Sequence, residues 1–589
     1  MQPPAPPVSA RGSLATLARK WIRRSAGDVD ASLVDGLEAE LKLPRALCQL
    51  LAIRGLHEPA LAKAFLKPRI DTLCDPLDLT DVDVAVARLR QAIENNERIL
   101  VHGDYDVDGI CGAALFTRVL RSLGANVEAF VPHRLTDGYD LGQAGIRRAV
   151  EIEATLILTV DCGIVAHDAV EAARGAGIDV IVTDHHTPGP RLPSALAVIN
   201  PNRADCKSKE KGFVGAGVAF KLCQALVRAL GGDEQALLWH LDLVAIATIA
   251  DLAPLTGENR TLTHYGLKVL EQTRNPGLAA MLSSAALDPA LGFTAGQISH
   301  ALAPRLNAVG RMGAAARGVT LLLCDDPATA APLAQETEEE NRTRQSVDRA
   351  TLDQAIAILD ATYDPQRDYA VVLAAEGWHP GVIGIVASRI VERIHRPVVL
   401  IALDAETGRG RGSARSIPAF DLFGAIDRCG RWLERYGGHH QAAGMEIRAD
   451  RIDGFRTALN ERARATLAPA DLIPETRVDI DLRFADATPV LLRVLRHFGP
   501  FGMGNPSPVF CARGVTVSGY PREVGSGHLK LTLLQDGVRM PAIGFRMADR
   551  LQDMDITRAP IDVVFQLQEN HYRGQTELQL KLIDFRMSA

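Results

Sequence analysis

ILVHGDYDVDG, residues 99–109, decides how the rest of the chain is read. Three apolar residues run into His102 and a glycine, and acids then alternate at Asp104, Asp106 and Asp108. A short apolar run closed by polar groups reads as a buried strand presenting those groups at its carboxyl end. Three more apolar segments end the same way: LILTVDCG (156–163), DVIVTDHH (179–186) and AIATIADLAPL (245–255). They add Asp161, Asp184, His185, His186 and Asp251 to the set. From about Val82 to Leu252 helical and apolar stretches alternate. Strands are expected at Ile99–Val101, Val127–Val131, Leu156–Val160, Val180–Thr183 and Ala197–Ile199. Helices are expected at Val84–Glu97, Gly112–Leu123 and Asp168–Gly175. Such alternation implies an α/β fold with a parallel sheet covered on both faces. Leu241–Ala250, apolar but for Asp242 and Thr248, reads as a buried helix.

Open parallel sheets bind ligands beyond the carboxyl ends of their strands, so the polar endings should converge on one crevice. So many carboxylates cannot stay ionised in a crevice without a cation. Oxygen and imidazole ligands without a thiolate favour manganese or magnesium. Four carboxylates balance two divalent ions, and two such ions about 3.5–4 Å apart clamp an in-line displacement at phosphorus. A single Asp after a strand more often caps a helix. Four such endings around one sheet are what carry the metal reading.

Further along, Leu333–Leu359 is rich in Glu, Arg, Gln and Ala and reads as a long exposed connecting helix starting just after Pro332. A second α/β unit starts at Tyr369–Leu373. From Thr476 period-two strands take over: RVDIDL, VFCARGVTVSGY, HLKLTLL, DVVFQLQ and ELQLKLIDF, which suit a small β-barrel. The nine cysteines form no CxxC pair, which argues against a disulfide framework or a zinc knuckle. The net charge of −6 speaks against a dedicated duplex-DNA binder but leaves room for a local basic groove. The first 27 residues hold five basic residues and no acid, and read as an irregular leader running into a helix. DCKSKEKG (205–212) reads as a disordered loop.

HGDYDVDG, VDCG, TDHH and IADLAPL resemble, in order, the four motifs of the DHH phosphoesterases. Asp108, Asp161, His185 and Asp251 follow one another at 53, 24 and 66 residues, which suits that family. VPHRLTDGYDLG, APRLNAVGRMG, GWHPGVIGIVASR, RGSARSIPAFDL, GGHHQAAGM, PFGMGNPSPVF and ENHYRGQTELQL are similar to segments of its RecJ exonuclease branch. The resemblance implies an α/β parallel-sheet DHH domain and a second α/β DHH-associated domain joined by a long helix, with a C-terminal OB-fold β-barrel. The corresponding expected divisions are a leader and helical lead-in (1–75), DHH domain (76–326), connecting helix (327–365), DHH-associated domain (366–466) and OB-fold (467–589).

By the same resemblance, the activity is that of a single-stranded-DNA-specific 5′-to-3′ exonuclease, a hydrolase releasing 5′-mononucleotides in DNA repair and recombination. Its cofactors would be two divalent cations, Mn2+ or Mg2+. His102 and Asp106 would hold one metal, Asp108, His185 and Asp251 the other, and Asp161 both. Asp104 lies within the first motif, and its alternating position is expected to turn it away. Asp161 and His186 are the catalytic residues implied, His186 by contacting the reacting phosphate. Ser413, Arg415 and Arg134 would grip a terminal 5′-phosphate, with Arg305, Arg311 and Arg389 on the phosphates next along. Gly437, Gly438 and His439 would let backbone N–H groups approach a phosphate. In the barrel, Lys530, Phe545, Arg546, Tyr572 and Arg573 would contact single strands. A single-strand-binding protein and a RecQ-like helicase are the partners the resemblance implies, in a bacterial cytoplasm; no membrane role is expected, because no apolar run reaches the roughly 18 residues a span needs.

Two rivals share some of these features. A DHH phosphodiesterase for dinucleotides, or a pyrophosphatase, would not need residues Thr476–Phe585. A non-catalytic scaffold on a decayed DHH domain should have lost ligands, and none of the six is missing. An NAD-type oxidoreductase falls away because no GxGxxG follows a strand.

Overall fold

The computed structural model describes residues 19–24, 30–134, 136–311, 315–525, 527–553, 559–572 and 575–588. The chain forms two compact units. One comprises residues 32–346 together with 490–507, and the other residues 347–489 and 508–589 with the N-terminal strand.

The first unit is built on a five-stranded parallel sheet in the spatial order Asn126–Phe130, Arg98–Gly103, Leu156–Val160, Asp179–Thr183, Ala197–Ile199. All five strands were expected from the sequence, and each lies within a residue or two of its expected bounds. Register sets His102 against Phe130 on one side and Thr159 on the other. The chain leaves Arg98–Gly103 toward one edge and later returns to its other side. The crevice of an open sheet opens at such a switch point.

The helix after the first strand begins at Val107, five residues before the expected Gly112. Asp106 caps it, its carboxylate accepting from the N–H groups of Asp108 and Gly109, an arrangement that contributes about 1 kcal/mol. Leu241–Ala250 is the buried helix expected; every residue but Ala250 is shielded, which suits a helix apolar on all sides.

The connecting helix runs Pro327–Thr362, inside the expected 327–365 division but beyond the Leu333–Leu359 stretch, and Pro332 lies inside it. Its start is fixed instead by Asp326, whose carboxylate accepts from Ala328 and Thr329 N–H, with Pro327 at the first helical position. Nor is it exposed all round. Ala330, Ala334, Thr337, Asn341, Asp348, Thr351, Ala355 and Leu359 form a buried stripe at three-, four- and seven-residue spacing.

In the second unit, a five-stranded mixed sheet takes the order Leu433–Gly438, Ala442–Arg448, Arg409–Arg415, Val398–Asp404, Val371–Glu376. A five-stranded barrel follows. Phe510–Val524 pairs with both His528–Gln535 and Ile561–Tyr572, while Val538–Gly544 and Gln575–Met587 close the ring. Val538–Gly544 was not foreseen. RVDIDL, foreseen as a barrel strand, splits into Glu475–Val478 and Ile480–Asp481 beside it. Closure removes the free edges of the sheet. Phe565 is fully shielded in the barrel, its ring 5.9 Å from Phe510 and 6.2 Å from Phe484. Phe565→Ala should cost about 3–5 kcal/mol of stability, measured as a fall in the denaturant midpoint.

Two expectations fail here. The N-terminal lead-in is not purely helical, because Lys20–Arg23 pairs in parallel with Glu475–Val478. Its Trp21 indole donates to Asp584, which fixes the strand against the barrel's last strand. Residues 1–18, including Arg11, lie outside the described residues. Residues 205–212 are pinned rather than disordered. Lys211 Nζ donates to the carbonyls of Pro201 and Cys206, and the Glu210 carboxylate accepts from Gly212 and Glu258 N–H.

Candidate metal centre

The polar strand ends meet in one crevice. His185 Nε2 stands 3.0 Å from Asp161 Oδ1, 3.6 Å from Asp108 Oδ2 and 3.9 Å from Asp251 Oδ2. Three groups of potential ligand atoms each fall within 4.8 Å: Asp161, His185 and His186; Asp108, His185 and Asp251; and Asp104, Asp106 and Asp161. Asp104, expected to turn away, therefore belongs to the cluster. It follows the last strand residue, Gly103, so strict alternation no longer governs it. His102 lies in none of the three groups, but its Nε2 is buried without a hydrogen-bond partner, as is Asp104 Oδ1.

Backbone geometry aims these groups. Asp161 follows its strand with φ of +63°, and its N–H donates to Thr183 O. Both Asp108 oxygens accept from the start of the Gly215–Ala229 helix, Oδ2 from Gly215 N–H at 2.6 Å and Oδ1 from Ala216 N–H at 2.8 Å. A helix N-terminus favours negative charge. Asp184 accepts from Ile164, His185 and His186 N–H and from His186 Nδ1 at 2.8 Å.

The electrostatics suit cations. Burial and the neighbouring Asp108 push the Asp161 carboxyl well above the usual range, and burial with Asp251 does the same to Asp108. Burial and Asp106 lift Asp251 to about 7. Burial lowers His102 and His185 to about 4 each, leaving neutral rings suited to ligation. Burial opposes charge on His186 as well, but its bond to Asp184 prevails and lifts it to about 9. Carboxylates that resist ionisation, neutral imidazoles and orphaned buried acceptors fit a divalent-metal site.

Sequence reasoning missed several contributors. A Cβ at Gly215 would lie 2.6 Å from Asp161 Cβ, and one at Gly145 would lie 2.7 Å from His102 Nε2. Both glycines are required by close approach across distant sequence, which composition cannot reveal. Asp140, in VPHRLTDGYDLG, accepts from Gly163 N–H at 2.6 Å and so holds the turn after Asp161. Tyr139 Oη lies 3.4 Å from both nitrogens of His186.

The expected DNA contacts are less uniform. Arg134 stacks on Tyr105, 4.9 Å from the ring centroid. Arg305 is engaged by Glu338 at 2.6 Å and by the Ala301 carbonyl, and Arg389 pairs with Asp348 at 3.0 Å. Arg311 ends the Ala303–Arg311 helix, but its side chain lies outside the described residues. In the other unit, Arg415 Nη1 donates to Ser413 Oγ at 3.2 Å, and the two crowd Gly384, near the start of the Ile383–Ile394 helix. Gly437 and Gly438 end an exposed edge strand, and His439 N–H donates to Ala442 O. Lys530 is partly exposed on its strand and Phe545 is exposed; Arg546 N–H donates to His528. Tyr572 ends a strand; its side chain and the whole of Arg573 lie outside the described residues.

Comparison with known proteins fits this architecture. Residues 98–248 match the DHH family, N-terminal domain; residues 367–465 match the DHHA1 domain; residues 478–584 match the RecJ OB domain. The chain is 36% identical to the single-stranded-DNA-specific exonuclease RecJ of Bacillus subtilis, over 95% of this chain and 70% of that protein. It is also 36% identical to the enzyme of that name from Escherichia coli, over 92% of this chain and 95% of the other. The crystal structure of RecJ in complex with Mn2+ from Thermus thermophilus superposes with a TM-score of 0.79. It is 33% identical, with 94% of this chain and 78% of that one covered. The Mg2+ complex from the same organism gives a TM-score of 0.74 at 31% identity, covering 94% and 76%.

Proposed function

The chain belongs to the RecJ family of single-stranded-DNA-specific exonucleases, and from that premise we propose how its residues divide the work. It is a hydrolase, an exodeoxyribonuclease acting on single-stranded DNA, with divalent cations as cofactors. The observation that carries the assignment of residues is the convergence of Asp108, Asp161, Asp251 and His185 on one crevice. His102 and Asp106 would hold one cation, and Asp108, His185 and Asp251 the second. Asp161 would hold both, with Asp104 beside the first. Bound there, the cations lower the pKa of the attacking water and neutralise charge gathering on the phosphate oxygens.

The remaining roles follow from chain groups. Asp184 fixes the His186 ring through Nδ1 and favours its charged form. A cationic donor so held stabilises the negative charge of the transition state. Ser413, Arg415 and Arg134 are the proposed grip on a terminal 5′-phosphate, suited by the planar donor fork of arginine. Arg305 and Arg389 reach DNA only by exchanging their carboxylate partners for phosphate. Gly437, Gly438 and His439 would approach the backbone of the strand, and Lys530 with the exposed Phe545 its more distant part.

Digestion from 5′ to 3′ with release of 5′-mononucleotides completes the reading. A single-strand-binding protein and a RecQ-like helicase are the proposed partners, and the bacterial cytoplasm the proposed compartment. Among the described residues no helix is long and apolar enough to cross a membrane. The decisive assay uses 5′-phosphorylated single-stranded DNA labelled at its 3′ end, with Mn2+, with Mg2+ and with EDTA. Stepwise shortening of the labelled strand with either metal, and none in EDTA, is expected. An intact strand beside rapid hydrolysis of dinucleotides or pyrophosphate would overturn the reading.

A further inference from the structure

Asp251 ends the Leu241–Ala250 helix, and the turn that follows it is left-handed, as it is after the helices that end before Glu153 and Ala286. Leu252 adopts φ of +56°, its N–H donates to Ile249 O, and Ala253 N–H donates to Thr248 O. That is a Schellman ending with leucine where glycine is normal, a conformation disfavoured by the Cβ. The Leu252 side chain is 61% exposed, so its own packing does not hold the turn. A contact from far downstream does reach it.

The downstream contact is PFGMGNP, residues 500–506, more than two hundred positions away in the chain. Leu255 N–H donates to Met503 O at 2.8 Å. Leu255 is buried against Gly502, where a Cβ would stand 2.7 Å from its Cδ1; Gly504, with φ of +70°, rests on Pro254 and Thr256. The segment is organised by Asn505, which is 3% exposed. Its Nδ2 donates to Phe498 O and Pro500 O, both at 2.8 Å, and its backbone exchanges hydrogen bonds with Gly502. Its Oδ1 accepts from Arg54, which also donates to Pro506 O and lies 5.4 Å from the Phe498 ring centroid. Arg54 terminates the Arg45–Ile53 helix, and Phe65 of the next helix meets Phe498 edge-on at 5.7 Å.

We infer that residues 499–506 are a latch for the metal centre, with Asn505 and Gly502 as positioning residues for Asp251 and the helices of residues 45–66 as its seat. The inference rests on the reading of Asp251 as a metal ligand. The latch holds the left-handed turn, and the turn sets the direction of the carboxylate. Loss of a group that orients a ligand typically costs 10–100-fold in metal affinity.

The test is a Mn2+ titration of the full-length protein by calorimetry, with amide hydrogen exchange over residues 252–257. Asn505→Ala should weaken Mn2+ binding about 10–100-fold, speed exchange at Leu255, and leave an exonuclease that excess Mn2+ restores. Gly502→Ala keeps every hydrogen bond and should weaken binding in the same way by pressing on Leu255. Leu255→Val, by removing the crowded methyls, should restore Mn2+ affinity in the Gly502→Ala background. Asp251→Asn is the reference, and adding Asn505→Ala to it should lower affinity no further. Wild-type Mn2+ affinity in folded Asn505→Ala and Gly502→Ala proteins, with Asp251→Asn impaired, would overturn the latch alone. Unchanged affinity in Asp251→Asn would overturn the ligand assignment and the latch with it.

Discussion

Asp161→Asn is expected to lower turnover by more than about a thousand-fold, at or beyond the loss from removing one transition-state contact. It should at the same time stabilise the metal-free protein. Asp161 is buried beside Asp108, Asp106 and Asp104, and burial with those charges holds its carboxyl well above the ordinary range. A carboxyl whose folded pKa exceeds its unfolded value costs stability at every pH above the unfolded value. At pH 7 the neutral amide removes that cost. In EDTA the variant should therefore melt higher, by roughly 1–2 °C for each kcal/mol recovered in a unit of this size. In Mn2+ the order should reverse. The wild type gains about 2.7 kcal/mol at a hundred times its dissociation constant, and the variant loses most of that gain. Differential scanning calorimetry in the two buffers, beside single-turnover assays, checks both halves. Wild-type turnover with equal metal content, or a lower melting temperature in EDTA, would refute the assignment.

Gly215→Ala is expected to be nearly as damaging, although the residue carries no functional group. Its N–H donates to Asp108, and an added Cβ would come within 2.8 Å of Asp161 Cα as well as within 2.6 Å of its Cβ. Backbone cannot yield as a side-chain tip can, so both carboxylates must move. A displacement of about 1 Å at a reacting centre can cost about a hundred-fold, and that fall in kcat is expected at saturating Mn2+. Ala216→Gly keeps its own N–H donor to Asp108 and serves as the control, with activity close to wild type. Equal activities in the two variants would show that the close approach is unimportant.

Much of the candidate centre was legible because most of its polar groups follow apolar strands, whose ends a parallel sheet gathers by its geometry, while Asp251 ends the apolar Leu241–Ala250 helix. The six proposed ligands needed no knowledge of distant contacts to be noticed. What stayed hidden depends on distant partners. Arg305 reads as a phosphate contact until Glu338, 33 residues on, is seen against it. The strand Val538–Gly544 is masked by Pro541, yet the closed barrel accommodates it opposite Thr532. Pro332 reads as a helix start because the true start depends on Asp326 accepting from Ala328 and Thr329. Gly145 and Gly215 look ordinary until the atoms facing them are known.

The interleaving of the two units has a consequence for synthesis on the ribosome. The chain enters the DHH-bearing unit at residue 32, leaves it at 346, and returns only for residues 490–507. At roughly 5–20 residues per second, a nascent chain spends on the order of ten to thirty seconds between those visits. During that interval the loop bearing Asp251 exists without Met503 and Asn505. The nuclease is therefore finished late in translation, after the second α/β sheet has been made, and a prematurely terminated chain is born without its latch.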